Sequence, residues 1–589
     1  MQGAFVFHFH VSPSGDDAWP GTQERPFASL GRARSAAREV AGEVVVHLGG
    51  GTYPLTAPLE FAAADSGRTS FQARGYGTPE QEEVVLSGGR EITGWREDGG
   101  VWVADVGPLD TRQLYVDGRR AERAAIDGLP GTATMTETGY VTDSAAPRDW
   151  RSPGDVEFVH RGVYPWTEAR CGVAAVSGDD RETVITMAQP AFGWAADLYN
   201  STWEGQTSRG PGLPTRVEND ASFLTEPGTF VLDRSRPGRH VLRYLPLPGQ
   251  RPERTRVVAP VLETLVRATG TRGVSFRGLV FADATWLRPS RPEGFLHYHG
   301  SGYHDGGAID VVTLGEGASV TIPLEAVTIP ACVVFDGTSG VEIEGCRFVR
   351  LGATALGLSG GGDAVVRGCD FETLSASAIA VTGSHGVLVE DNRIHRAGLD
   401  YSGSPGIALL STRDVTVAHN QITDVPHCGI TAGPGAGTRV LRNVVSGSMS
   451  VLADGGGVYL SGIQGDSYEN GAVVEGNVIK DTRTPYNFAL YTDYGAAWVT
   501  VESNVVAGAD NTAVLQVSPP LENVVYLGNF WDADPLGHDA PPPGVTYEDN
   551  MTIADERELD AVTAAIQARA GLLTRRGGAV ASERCRSGG

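Results

Sequence analysis

Lysine is almost absent from this sequence: Lys480 is the only one, and arginine supplies the rest of the 47 positively charged residues. The composition therefore excludes catalysis by a lysine base nearly everywhere in the chain. Aspartate and glutamate together number 71, so the formal net charge is −24 and the isoelectric point is about 5.0. An acidic surface repels phosphate backbones, which argues against nucleic acid as a partner and, more mildly, against a polyanionic substrate.

Paired cysteines and long apolar runs are missing as well. No two cysteines show C-x-x-C spacing, which excludes the common zinc and redox motifs, and we interpret them as small buried hydrophobic residues. No apolar run approaches the ~20 residues that span a bilayer, so we expect no membrane partner. The opening MQGAFVFHFHVSPSGDD lacks the basic and hydrophobic regions of a signal peptide, and we expect either a mature secreted protein or a cytoplasmic one. The cysteines are Cys171, Cys332, Cys346, Cys369, Cys428 and Cys585.

A repeated unit is the clearest pattern that is present. Charged residues make up only 20% of the chain and glycine occurs 78 times, which favours strands and turns over helices. From about residue 332 a unit with one buried corner residue recurs, as in IAVTGSHGVLVEDNRI (379–394) and IALLSTRDVTVAHNQI (407–422). Successive corner residues are 23, 23, 28, 23, 34, 27 and 25 positions apart, which indicates one coil per repeat with loops inserted at fixed corners. The corner residues are Cys346, Cys369, Asn392, Asn420, Asn443, Asn477, Asn504 and Asn529.

The recurring asparagines predict a structural ladder and not a functional site. Asparagine tolerates a left-handed turn, and its side-chain amide can bond to the same residue in the next coil. Parallel strands in such a stack lie ~4.8 Å apart. The predicted fold class is therefore all-β: a right-handed parallel β-helix, or solenoid.

The remaining segments predict additions to this solenoid. An amphipathic pattern near residues 27–40 predicts an N-terminal capping helix, which would cover the open end of the β-helix. A long excursion interrupts the coils between Leu279 and Cys346. The predicted regions are 1–84 (cap and first coils), 85–260 (an inserted β-rich subdomain), 261–545 (β-helix with active-site loops) and 546–589 (C-terminal helix and tail).

Two long coils carry the candidate catalytic residues. Alternation along their strands predicts that Tyr459, Tyr491 and Asp493 point outward, and Asp454 precedes the first of these strands. Insertions on a solenoid cluster on one face, which is often the binding face. Glycosidic cleavage needs two carboxyl groups about 5–9.5 Å apart, and adjacent coils can supply them. We therefore assign Asp454 and Asp493 as the acid pair, with the tyrosines binding sugar. Either aspartate could instead serve only as a turn residue, and the sequence leaves open which of them is the acid.

Further residues are predicted to bind substrate. His427 lies one coil before Asp454 and could bond a substrate hydroxyl or orient a carboxylate. Trp286 is the candidate stacking platform in the long excursion, and His304 and Asp305 are candidates for its wall. We predict no metal and no other cofactor, because the H-x-H and H-D pattern of this excursion has no matching outer cluster of ligands.

Several segments resemble glycoside hydrolase family 141, a group of β-helix proteins with α-L-fucosidases and xylanases. They are FHVSPSGDDAWPGTQERPFASLGRAR, LYVDGRRAERA, FLTEPGTFVLDRSRPGRHVLRYLPLPG and the pair ADGGGVY and ALYTDYG, and the resemblance spans residues 8–530. It implies a hydrolase of plant or microbial polysaccharides or oligosaccharides. It also implies that the aspartates of the D-G-G-x-x-Y and Y-x-D segments, here Asp454 and Asp493, form the acid pair. Ala453 and Tyr494 stand where relatives often carry further acids.

Two alternatives use the same fold. A polysaccharide lyase would need a basic residue beside the acids, and Lys480 lies elsewhere on its coil. A non-catalytic glycan-binding protein would need only the outward aromatic residues. All three functions have a carbohydrate as the partner, and the sequence leaves the oligomeric state, the sugar and the linkage open.

Overall fold

The computed structural model describes residues 6–483 and 486–573, and it confirms the right-handed parallel β-helix. Three parallel sheets run along the solenoid, and most coils contribute one strand to each sheet. The first sheet bears the candidate catalytic residues. Its strands are Leu59–Phe61, Val266–Thr269, Ala331–Asp336, Thr354–Ser359, Ile379–Thr382, Ile407–Leu410, Ile430–Ala432, Gly456–Ile463, Phe488–Glu502 and Asn511–Val514.

The second and third sheets complete each coil. The long strand Phe488–Glu502 passes from the first sheet into the second. The other strands of the second sheet are Val6–Val11, Glu43–Leu48, Thr69–Ala73, Val274–Arg277, Glu342–Glu344, Val365–Arg367, Leu388–Glu390, Thr416–Ala418, Arg439–Leu441, Ala472–Glu475, Glu522–Leu527 and Val545–Glu548. The strands of the third sheet are Gly51–Pro54, Val84–Ser87, Leu279–Ala284, Arg347–Leu351, Asp370–Leu374, Arg393–His395, Gln421–Thr423, Val444–Ser446, Val478–Lys480, Val505–Ala507, Phe530–Trp531 and Met551–Thr552.

The core is a set of stacked apolar columns inside the solenoid. Alternating residues of each strand face inward, so Ile379, Ile407, Ile430 and Val458 are stacked in successive coils and are fully buried. Burying each such side chain contributes roughly 1.5–3 kcal/mol. The outward residues of the same strands are therefore the ones free for a functional role.

The asparagine ladder lies at one corner of this core, as the spacing predicts. The Nδ2 of each asparagine donates to the Oδ1 of the next at 2.9–3.0 Å, from Asn392 through Asn529, and the chain of bonds extends one residue further to Asn550. Cys369 continues the ladder through its backbone N–H, which donates to Asn392 Oδ1 at 2.9 Å. Buried polar groups are thereby satisfied in every coil of the ladder.

Replacing Asn443 by alanine is expected to destabilise the fold by about 3 kcal/mol or more, because the buried N–H of Asn420 and the carbonyl of Val417 lose their partner. The thermal midpoint measured by calorimetry should fall by several degrees. The control is Thr416→Ala, which changes a half-buried outward residue of the neighbouring coil. Equal midpoints for the two variants would contradict the structural role of the ladder.

Among the described residues, three α-helices accompany the solenoid: one near its first coils, one in the insertion and one after its last strands. The predicted capping helix is α1, Leu30–Ala37, whose N-cap Ser29 accepts a hydrogen bond from the N–H of Arg32. Helix α2, Ala191–Leu198, belongs to the insertion, and helix α3, Glu556–Gln567, begins after the N-cap Asp555. Short 3₁₀ turns occur at Ala63–Asp65, Ala146–Asp149, Pro153–Asp155, Ala221–Phe223 and Arg288–Ser290. Over residues 6–483 and 486–573, none of the helices has the length and apolar character needed to cross a bilayer.

The segment predicted as an inserted β-rich subdomain forms mainly antiparallel sheets. One sheet contains Gly89–Glu91, Arg96–Asp98, Val101–Gly107, Leu114–Val116, Arg119–Arg123, Thr229–Asp233, His240–Tyr244 and Val257–Pro260. A second contains Ala125–Asp127, Ala133–Thr136, Gly139–Thr142, Glu157–Arg161, Glu168–Gly178, Thr183–Met187, Arg216–Glu218, Phe295–His299, Gly302–His304 and Val327–Thr328. A third contains Asn200–Trp203, Gln206–Arg209, Ile309–Gly315 and Ala318–Pro323.

The long excursion of the β-helix joins these same sheets. Leu296 pairs with Ala169, and Val320 pairs with Ser201, so the strands after Leu279 build one unit with the insertion. The sequence division placed them with the coils instead. Antiparallel partners more than 100 positions apart carry no spacing signal, and only the folded chain shows the pairing.

Buried ion pairs fix this unit on the β-helix. Arg120 pairs with Asp400 of a β-helix loop, and the Arg170 guanidinium donates to the carbonyl oxygen of Asp400 at 2.7 Å. Burial opposes ionisation of Asp400, but the charges of Arg120 and Arg170 hold its pKa well below the usual value. Moving the inserted unit off the β-helix would break these pairs and leave buried charges without partners, which is strongly destabilising. The ion pairs therefore hold the unit in one position on the β-helix.

Candidate active site

Two neighbouring coils bring the candidate acids and tyrosines together. Tyr459 pairs with Tyr491 and Ser461 with Asp493 in the first sheet, so these residues occupy matching positions one coil apart. The two tyrosine rings meet edge to face, with centroids 5.0 Å apart. The outward orientation predicted for both coils places the phenol groups beside the carboxyls, above the solenoid core.

Each aspartate receives a hydrogen bond from a tyrosine of this pair. The Tyr459 hydroxyl donates to Asp493 Oδ2 at 2.7 Å, and the Tyr491 hydroxyl donates to Asp454 Oδ1 at 2.9 Å. The Tyr491 hydroxyl also interacts with Asp493. One phenol oxygen thus lies next to both carboxyls. The charge of Asp493 also contributes to raising the pKa of Asp454, so the two carboxyls are near enough to influence each other.

The backbone of Asp454 is held in a tightly specified turn. Its φ is 54°, in the left-handed region, and its N–H donates to the carbonyl oxygen of Tyr486 at 2.9 Å. The preceding N–H, of Ala453, donates to the carbonyl oxygen of Pro165 in the inserted unit at 3.0 Å. The following residue must be glycine, because a Cβ on Gly455 would lie only 2.6 Å from His427 Nε2. The first glycine of the D-G-G sequence is therefore required by the turn itself.

Asp493 lies where its long strand bends. The N–H of Tyr494 donates to Asp493 Oδ1 at 2.7 Å, and the φ of Tyr494 is 44°. Asp493 therefore accepts hydrogen bonds on both carboxylate oxygens, from Tyr494 and Tyr459. Hydrogen bonds of this kind favour the ionised form of a carboxyl group.

Burial raises the pKa of both aspartates, and more so for Asp454. Burial, helped by the negative charge of Asp493, raises the pKa of Asp454 to about 6 against the hydrogen bond from Tyr491. Burial also raises the pKa of Asp493, but the bonds from Tyr459 and Tyr494 oppose that rise. Burial and the charge of Asp493 thus favour the protonated form of Asp454, whereas the hydrogen bonds from Tyr459 and Tyr494 favour the ionised form of Asp493. Two carboxyl groups with different protonation states are what acid–base chemistry on one bond requires.

His427 was predicted to contact the substrate, but the structure buries its ring beneath the site. The ring is 3% exposed, and Nε2 donates to the carbonyl oxygen of Ala453 at 3.2 Å. Burial lowers the pKa of His427 to about 4, so the ring is neutral at ordinary pH. It supports the turn that carries Asp454 and has no exposed edge to offer a sugar hydroxyl.

Trp286, His304 and Asp305 lie away from the acid pair. Trp286 is 4% exposed and packs edge-on against Tyr401, so it is not a stacking platform. His304 is 3% exposed and packs against Trp194. Arg288 forms an ion pair with Asp305. The excursion folds as a hairpin, and these residues lie at its base, whereas its tip faces the tyrosines.

The tip of that hairpin supplies residues that were not assigned from the sequence. The ring of His299 lies 5.1 Å from the Tyr459 ring, and burial lowers the pKa of His299 to about 4. Tyr298 is close enough to Asp493 for its pKa to be raised by burial and, in part, by that charge. The many histidines in this loop indicated that it could take part in a site. Because the loop is far from the acids along the chain, the sequence did not show which of its residues lie next to them. In the described ranges no group of three or more His, Cys, Asp or Glu side chains is placed to hold a metal ion.

The five cysteines between residues 6 and 573 are free and buried, as expected, and Cys585 lies outside the described residues. Cys428 belongs to the site's apolar support: with Met449 it packs under Tyr459 and Tyr491. Burial raises the pKa of the Cys428 thiol to about 12, so it is not a nucleophile.

Comparisons with known proteins agree with the fold. Residues 328–462 match the family model described as right handed beta helix region. A solved structure described as a glycoside hydrolase is 23% identical, with a TM-score of 0.76, over 96% of this chain and 99% of its own. The complex structure of XylC with xylose is 13% identical, with a TM-score of 0.53, over 92% of this chain and 86% of its own. No curated protein matches this chain.

Proposed function

We propose that this protein is a glycoside hydrolase in which Asp454 is the general acid and Asp493 is the second catalytic carboxylate. The observation that carries the proposal is the crossed pair of hydrogen bonds, from Tyr459 to Asp493 and from Tyr491 to Asp454, on two adjacent coils. It sets two carboxyl groups side by side with different proton affinities. The similarity to a solved glycoside hydrolase over nearly the whole of both chains supports the same conclusion.

The proposed reaction uses each carboxyl once. Asp454 gives its proton to the leaving glycosidic oxygen, and the bond between that oxygen and the anomeric carbon breaks. Asp493, ionised, stabilises the positive charge that develops on the sugar and acts either as the nucleophile or as the base for a water. Tyr459 and Tyr491 keep their protons, because burial raises the pKa of both phenols far above neutrality, and they hold the carboxyls in place.

The charge of the site favours an uncharged sugar and a hydrolase over a lyase. A lyase abstracts a proton with a base and needs a cation beside the uronate, but within the described residues no arginine or lysine is among the groups that shift the pKa of Asp454 or Asp493. The single lysine, Lys480, instead pairs with Asp560 of helix α3 at 3.0 Å. Fucosidase-like or xylanase-like action, which the family resemblance implies, is action on neutral sugars.

The pH dependence of hydrolysis should follow from the two raised pKa values. Activity requires Asp454 to be protonated, so kcat/KM should fall as pH rises through about 6, and it requires Asp493 to be ionised, so kcat/KM should also fall at acid pH. We expect a bell-shaped profile with its maximum below pH 6, measured with aryl α-L-fucosides and aryl β-D-xylosides.

Three results, obtained with these aryl glycosides, with pectic polysaccharides or with glycan-binding measurements, would contradict the proposal. A value of kcat/KM that keeps rising above pH 7 would contradict the assignment of Asp454 as the general acid. An unsaturated sugar product from pectic polysaccharides would indicate a lyase. Saturable binding of glycans without cleavage of any glycoside would indicate a glycan-binding protein.

A further inference from the structure

The two site tyrosines are buried although they point out of the β-helix. Tyr459 is 5% exposed and Tyr491 is 8% exposed. On earlier coils of the same sheet, outward residues such as Asp336 and Leu410 are exposed. Other segments of the chain must therefore cover this part of the sheet, and their positions determine what shape of substrate can enter.

The excursion hairpin closes the side toward the N-terminal coils. Its tip rests on the preceding coil, where a Cβ on Gly300 would lie 4.0 Å from Thr431 Oγ1, and Thr431 itself is only 6% exposed. A hydrogen bond of 2.9 Å between the hydroxyls of Ser301 and Ser377 fastens this tip to the solenoid. The outward face of the earlier coils therefore does not continue into the site as an open groove.

The opposite side is closed by the loop of the next coil. The N–H of Gly495, two residues after Asp493, donates to the carbonyl oxygen of Pro519 at 3.0 Å. Val517 of the same loop packs against the tyrosine pair. A sugar chain lying along the solenoid axis would meet this loop on one side of the acids and the hairpin on the other.

The flank next to Asp454 is closed as well, and the exposed rings mark the mouth. The Asp454 turn is bonded to Pro165 of the inserted unit and to Tyr486, as described above. The ring of Tyr486 is 57% exposed, and that of Tyr494 is 44% exposed. Tyr486 is near both acids, since the charges of both contribute to raising its pKa after burial. Aromatic faces at a mouth suit the apolar face of a second sugar unit.

We infer that the site is a blind pocket for one terminal sugar residue, and that the enzyme acts from chain ends. This inference rests on the proposed function. Cleavage of an internal bond requires the chain to leave the acids in two directions, whereas walls at His299 and at Pro519 leave one exit, between Tyr486 and Tyr494. The residue released occupies the pocket, and the remainder of the substrate stacks on the exposed tyrosines.

The experiment follows product length during digestion. Oligosaccharides of the sugar series whose aryl glycoside is cleaved, labelled at the reducing end, are digested and separated at early times. We expect labelled products that shorten by one residue at a time. Labelled fragments of intermediate length at first turnover would overturn the end-acting mode and leave the hydrolase assignment intact. Absence of cleavage of every aryl glycoside and every oligosaccharide would overturn the proposed function, and this inference with it.

A variant of the hairpin tests the wall directly. His299→Ala removes the ring that packs on Tyr459, and should raise kcat/KM on a pentasaccharide relative to an aryl monoglycoside by about tenfold, the scale of one relieved steric contact in a pocket. The matched control is Tyr303→Phe, which changes one hydroxyl on the same hairpin away from the acids. An unchanged ratio in the properly folded His299→Ala variant would show that this hairpin does not limit chain length.

Discussion

Replacement of Asp493 by asparagine is expected to lower kcat by about 10³-fold or more on every glycoside that the wild-type enzyme cleaves, since no charged group remains to stabilise the cationic transition state or to act on its anomeric carbon. Asparagine keeps an oxygen that can accept the 2.7 Å bond from Tyr459, so the fold should be retained. The measurement is kcat on two aryl glycosides, one with a good and one with a poor leaving group. The loss should be similar for both.

The chain offers a matched control for this variant. Asp336 occupies the same position in its coil as Asp493 and points outward on the same sheet, where Ser359 donates a hydrogen bond to it at 2.7 Å. Asp336→Asn therefore changes the same group in the same local structure several coils away. We expect its kcat to equal that of the wild type. Retention of more than about a tenth of the activity in Asp493→Asn would contradict the assignment, given the 10²–10⁴-fold effects of such groups.

Replacement of Asp454 by asparagine should produce a loss that depends on the leaving group. Without the acid, a poor leaving group such as an alkoxide departs unprotonated, and kcat should fall by about 10³-fold. A 2,4-dinitrophenyl glycoside needs no proton on its leaving oxygen, so its cleavage should stay near the wild-type rate. The fall in kcat/KM above pH 6 should disappear with the acid.

An equal loss on both classes of substrate would instead assign Asp454 to a role other than proton donor. Stability provides the control for folding. Because burial raises the pKa of Asp454 to about 6, its ionised form disfavours the folded state above that pH, and asparagine removes this cost. The thermal midpoint of Asp454→Asn at pH 8 should therefore be no lower than that of the wild type, whereas at pH 4 the two should agree.

Local pattern was enough to predict the coils and the placement of the two candidate acids on adjacent coils. The corner residues recur because one buried side-chain amide in each coil forms a hydrogen bond to the next coil. Successive corner asparagines are therefore a nearly constant number of residues apart. That spacing also predicts that Tyr459 and Tyr491 are neighbours one coil apart, which the structure shows. The catalytic roles of Asp454 and Asp493 remain predictions.

The enclosure of the site was not predictable in the same way. Trp286 and His427 were predicted to contact substrate, but both are buried. Trp286 packs against Tyr401, far away in sequence, and His427 is covered by the turn at Ala453 in the next coil. Antiparallel pairing of the excursion with the insertion brings His299 to the acids and carries His304 away from them. Nothing in the sequence near either histidine distinguishes these two outcomes.

The sequence by itself determined the solenoid, its asparagine ladder and the placement of two acids on adjacent coils, because these depend on contacts between residues a nearly fixed number of positions apart. Only the tertiary structure decided which residues surround those acids and how far a sugar chain can extend past them. The physical reason is that the hairpin wall comes from segments paired over more than 100 residues, and such pairings depend on the whole folded surface and not on a local repeat.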